Sequence, residues 1–121
     1  MPSTEWWNSL LASIDGKDTG KFLSYLAEDG EFVFGNAPAA VGHANIGAAV
    51  SGFFGMIQRS QHRLLTTWEG PASAVGEGLV TYTRLDGSTI TLPFVDVFHF
   101  RGDRIGRYQI YMDVNPLFAG G

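Results

Sequence analysis

The sequence contains no cysteine. That excludes disulfides and thiolate metal sites and fits a reducing compartment, the cytoplasm. Positive charge is sparse: eight Lys and Arg against twelve Asp and Glu give a net charge of −4, with the basic residues scattered. Nothing in that distribution offers a footprint for nucleic acid. No apolar segment approaches the roughly 20 residues of a membrane span. The opening MPSTEWWNSL lacks a basic stretch followed by a long apolar run, so neither a membrane partner nor a signal peptide is expected. The three histidines show no i, i+4 spacing and no accompanying acid cluster, so no metal site is expected. A Gly-rich phosphate loop and a serine nucleophile elbow are also missing, and the expectation is a protein without a cofactor.

What is plentiful is apolar and aromatic side chain. With 121 residues, 45% hydrophobic and 17% charged, the chain should form one domain around a real core. Nine Phe, four Tyr and three Trp exceed what such a core needs, which leaves aromatic surface to line a cavity. Ser3 or Thr4 can cap a first helix on which Trp6, Trp7, Leu10, Leu11 and Ile14 share a face. Asp15-Gly16-Lys17-Asp18 ends it, and a second short helix is expected from about Thr19 to Ala27. Glu31–Phe34 alternates as a short strand, and Gly35-Asn36-Ala37-Pro38 breaks it. A third helix is expected from about His43 to Met56. Strands should follow at Gln61–Glu69, Gly78–Leu85, Thr89–Phe100 and Arg104–Asp113, the middle pair joined by an Asp86-Gly87 hairpin. Helices first and then an antiparallel meander is an α+β pattern: three N-terminal helices cover one face of a strongly curved sheet and leave a cone with an apolar interior.

The Thr89–Phe100 strand carries the sharpest signal. One face presents Leu92, Phe94, Asp96, Phe98 and Phe100, so an acid lies among Leu and Phe. An ionised carboxylate there is costly unless paired, so a raised pKa or a fixed hydrogen-bond partner is expected. Asp96 is then either a functional acid in an apolar concavity or a buried acid satisfied by backbone N–H groups or an Arg.

The order of elements, together with LAEDGEFVFG, the glycine and helix at Gly42–Val50, and VDVFHFRGDRIGRYQIYMDVNPLF, resembles the NTF2-like superfamily, and within it the SnoaL-like proteins, which include polyketide cyclases. The resemblance implies a cone-shaped fold hosting isomerases, cyclases, dehydratases or non-enzymatic binders. Asp96 falls where ketosteroid isomerases place the protonated acid of their oxyanion hole. Phe34 stands where their general base would be, and Leu10 near their first-helix Tyr. Arg84 and Asp86 match the Arg-x-Asp spacing of related epoxide hydrolases at a hairpin turn, with Ile110 at the position of the third acid. Gln61-His62 and Asp15 resemble pieces of the scytalone dehydratase site.

Parity places His62, Leu64, Thr66 and Trp68 on one strand face, turned toward the cavity with Asp96. A His62–Asp96 pair could then shuttle a proton. Trp7, Phe32, Phe34, Leu64, Phe94, Phe98, Tyr108 and Met112 would line the cone, about half of them as true cavity wall. His43 reads as a capping or surface residue and His99 as packing or interface. The outer face, read as Leu65, Thr67, Val80, Tyr82, Val95, Val97 and Tyr111, would be a large apolar patch that favours a homodimer. Three functional readings remain: a cofactor-independent acid/base enzyme acting on a small hydrophobic carbonyl compound, a non-catalytic binder of a small hydrophobic molecule, and a dimeric interaction module with a filled core.

Overall fold

Ser3 accepts the Trp6 amide and opens α1 (Thr4–Asp15), and Gly16 closes it. Asp18 caps a single-turn α2 (Thr19–Leu23). The computed structural model, which describes residues 2–119, continues through β1 (Leu26–Phe34), β2 (Ala40–Val41), α3 (His43–Phe54), β3 (Arg59–Gly70), β4 (Ser73–Thr83), β5 (Thr89–Arg101), β6 (Arg104–Tyr111) and a terminal turn of helix, α4 (Asn115–Ala119). The strands form one sheet in the order β2-β1-β6-β5-β4-β3. All ladders are antiparallel except β1 with β6, and the chain crosses from β2 at one edge of the sheet through α3 to β3 at the other.

Helices α1 and α3 bury Trp7, Leu10, Leu11, Ile46, Val50 and Phe54 against the concave sheet face. The inner face of β4 carries Gly76 and Gly78 because larger residues do not fit. A Cβ at Gly76 would meet the Trp7 ring at 2.6 Å, and one at Gly78 would meet the Arg63 carbonyl at 2.3 Å. These two positions let α1 and the Phe94 ring sit close over the sheet.

The fold is the expected α+β cone, with five local differences, the first being the added two-residue strand β2 paired with β1. The second helix stops at Leu23 and Leu26 already belongs to β1, pairing with Ile105. That parallel contact is non-local and leaves no alternation for its own stretch to display. Strand β4 begins at Ser73 rather than Gly78, and Gly76, in the added stretch, serves close packing against Trp7. The chain also adds α4, held by Arg84, whose Nε donates to the Leu117 carbonyl (2.8 Å) and Nη2 to the Pro116 carbonyl (3.0 Å). Finally, β3 bulges at Leu65: Leu64 pairs with Gly78 but Thr66 with Glu77. The extra residue reverses the alternation, so Trp68 lies level with Val75 and Val97 on the outer face instead of with His62.

Candidate functional site

The cone is not filled. Between α1, α2, α3 and the sheet lies a cavity of about 220 Å³, walled largely by hydrocarbon and aromatic side chains. Phe32, Phe34, Phe94, Tyr108 and Met112 line it. Trp7, Leu64 and Phe98 do not: Trp7 stacks on Phe98 with ring centroids 4.7 Å apart, and the three pack into the core outside the cavity. The same inward parity brings them under the helices, where side chains fill the space. Val80 and Tyr82, expected on the outer face, line the cavity instead, because Val80 pairs with inward-facing His62 and residues directly opposite share a face.

Two polar stations open on this space. At the first, Asp15 ends α1 and reaches β3. It accepts the His62 backbone N–H at 2.8 Å, the His62 Nδ1–H at 2.6 Å and the Ser60 hydroxyl at 2.8 Å. Partial burial opposes its ionisation, but the hydrogen bonds and charge of His62, aided by Ser60, outweigh it and hold the carboxyl below its ordinary range. An ionised Asp15 only accepts, so Nδ1 of His62 carries a hydrogen, and in the neutral ring the lone pair is left on Nε2. His62 lines the cavity, with its ring edge-on to Phe94.

The second station is Asp96 on β5, 2% exposed. Burial pushes its carboxyl up to about 8, while a long hydrogen bond from the Tyr108 hydroxyl (3.4 Å) works weakly the other way. At neutral pH Asp96 is a protonated acid. Tyr108 is fully buried beside it, and burial first, then Asp96, raises its pKa well above the ordinary tyrosine value. Between the stations Tyr82 touches the Met112 sulfur at 3.9 Å; burial, followed by the charges of Asp96 and Asp15, keeps it neutral too.

His62 and Asp96 share the cavity but do not pair. In the ladder, His62 is level with Val80 and Leu92, whereas Asp96 is level with Gly76. On a flat sheet the two Cα atoms would be roughly 10 Å apart across the strands and roughly 13 Å along them. The partner of His62 is Asp15, from a helix end far away in sequence. Asp15 was legible only as a resemblance to dehydratases.

The other sequence candidates stand apart. Phe34 and Leu10 offer no base or hydroxyl, one in the cavity wall and one in the core. Asp86 accepts the Ser88 amide in its turn (2.9 Å), and Arg84 anchors α4. His43 Nε2 pairs with the Leu26 carbonyl (3.0 Å), and His99 is exposed. Among the described residues, no three His, Asp or Glu side chains cluster as metal ligands would, and no helix is long and apolar enough to cross a membrane.

A family model described as the SnoaL-like domain matches residues 7–108. The protein belongs to this family. Solved structures share the SnoaL-like fold along nearly the whole chain. One is a protein with a ketosteroid isomerase-like fold from Catenulispora acidiphila, in complex with trimethylamine (16% identity, 97% of this chain and 92% of that one, TM-score 0.86). Another is TerC co-crystallised with polyporic acid (22% identity, 98% and 97%, TM-score 0.85). A third is a candidate polyketide cyclase from Xanthomonas campestris (20% identity, 96% and 93%, TM-score 0.82). No match was found among curated protein sequences. At these identities the SnoaL-like neighbours establish the fold alone.

Proposed function

We propose that the protein binds a small hydrophobic carbonyl compound in the cavity and moves a proton on it, as in isomerisation, cyclisation or dehydration. The observation that carries this reading is the presence of a base and an acid on one apolar cavity. His62, oriented by Asp15, takes a proton through Nε2. Asp96, neutral at pH 7, is a hydrogen-bond donor for a second polar group of the bound molecule, further along the cavity. The wall residues Phe32, Phe34, Phe94, Tyr108 and Met112 hold the substrate and exclude water. The residues supply the base and the hydrogen-bond donor themselves, and cyclase-like names among the structural neighbours agree with such chemistry.

The test is deuterium exchange at the α-carbon of one- and two-ring ketones such as 2-tetralone, followed by NMR. The wild type should accelerate exchange, and His62→Ala should remove about 10²–10⁴-fold of that rate. Binding without exchange would favour a non-catalytic carrier of small hydrophobic molecules, a second reading supported by the overwhelmingly apolar wall.

We further propose that the outer sheet face packs on a second copy of the chain. Leu65, Trp68 and Tyr111 are 49%, 52% and 59% exposed there, and Trp68 is level with Val75 and Val97. An apolar surface of this kind is costly in water. Sedimentation should give a dimer, and Trp68→Lys should shift it toward monomer by tenfold or more in dissociation constant, about 1.4 kcal/mol.

A further inference from the structure

Asp96 leaves much of its bonding capacity unused. The Tyr108 hydroxyl lies 3.4 Å from Oδ2, and Oδ1 has no hydrogen-bond partner among the described residues. No Lys or Arg lines the cavity. The rings of Phe32, Phe34, Phe53, Tyr82 and Tyr108 line the same space. Asp15 is already paired with His62, so Asp96 is the one carboxyl on this apolar, aromatic wall without a cationic partner among the described residues. Such a site is mismatched to an anion and complementary to a positive charge, which the carboxylate would pair and the ring systems would attract.

We propose that the cavity binds a small hydrophobic ammonium ion, an amine bearing one aromatic or alicyclic ring, with Asp96 as its counter-ion. The size follows from the volume: about 220 Å³ is below the roughly 300–1,000 Å³ of drug-sized pockets. This binding uses the cavity of the catalytic reading but does not depend on proton transfer by His62. At neutral pH Asp96 meets the ammonium as a carboxylate and releases its proton to solvent, so one proton leaves for each amine bound. The titratable groups that face it are Tyr108 from β6, Tyr82 from β4 and His62 from β3, with Asp15 of α1 behind His62. Affinity should rise from pH 6 to 8 as Asp96 gives up its proton more easily, and fall once the amine itself becomes neutral.

Three near-isosteres of different charge test this by calorimetry: benzylamine, benzyl alcohol and benzoate. Benzylamine should bind at least tenfold more tightly than benzyl alcohol, and benzoate most weakly. Repeating the titration at pH 7 in buffers of different ionisation enthalpy should show close to one proton released per amine and none per alcohol. Asp96→Asn should reduce benzylamine to the level of the alcohol. Equal affinities, an amine advantage that survives Asp96→Asn, the absence of proton release, or no binding at all would each overturn the proposal. Should Asp96→Asn fail to fold, the proton count on the wild type decides. Alcohol binding and ketone exchange without amine preference would remove the ammonium site and leave the catalytic reading standing. Amine preference with no ketone exchange would do the reverse.

Discussion

Asp15 and Asp96 both bear on one cavity, and at neutral pH the first is charged while the second is not. Asp15 sits at a helix C-terminus, where the dipole disfavours a negative charge, and its side chain is 24% exposed. Three donated hydrogen bonds and the adjacent imidazole nonetheless hold it ionised. Asp96 is 2% exposed with one long hydrogen bond, and burial prevails. The comparison teaches that depth and partners together set the charge of an acid: partial burial yields to three donors, and full burial prevails over one long hydrogen bond. Here the outcome is a base-supporting carboxylate at one station and a proton donor at the other.

The comparison breaks most visibly at Asp96. Its folded pKa of about 8 lies above the unfolded value of about 3.9. The native state therefore holds a proton that the unfolded state has lost, and stability should fall as pH rises from about 4 to about 8. Asp96→Asn should be close to wild type at pH 4–5, flatten this profile, and be more stable at pH 9 by on the order of a few kcal/mol. Urea denaturation across pH 4–9 measures it, and a wild-type profile that does not decline would mean that Asp96 is ionised.

Asp15 should behave in the opposite sense. Its folded pKa is depressed, so its contribution is present above the unfolded value and is lost as pH falls through the folded one. Asp15→Asn should cost about 1.5–3 kcal/mol at pH 7, with the gap to wild type closing below pH of about 4. The same variant should slow ketone exchange, because the amide holds the His62 tautomer less firmly. Wild-type stability and exchange in Asp15→Asn would mean that the Asp15–His62 hydrogen bond positions nothing.

The smallest expected effect is at Ser60, which supplies a single hydroxyl to Asp15. Ser60→Ala should cost about 1 kcal/mol and leave exchange nearly unchanged. A loss as large as that of Asp15→Asn would mean that the hydroxyl, not the imidazole, sustains the charge.

Several features were legible from the chain because their signals are local. Alternation on Thr89–Phe100 set Asp96 among Leu and Phe, the Asp86-Gly87 pair marked its hairpin, and helical spacing marked Trp7, Leu10 and Leu11 as buried. Asp96 as a desolvated acid needed only its own strand. The partnership of His62 needed more: it depends on the register of β3, β4 and β5 and on where the last residue of α1 meets β3. A one-residue bulge at Leu65 likewise decided which face Trp68 occupies. Val80 and Tyr82 face the cavity rather than the outer side through their regular pairing with His62 and Ser60, since a strand with apolar residues on both faces does not announce which one is inside.

The sequence by itself determined the α+β cone, its aromatic interior and an acid buried within it, because composition and short-range periodicity encode burial. Only the tertiary structure decided which acid serves His62, which rings bound the cavity and that space remains between them. Those outcomes arise from contacts between residues distant in the chain, whose geometry is set by register and helix docking rather than by any local pattern.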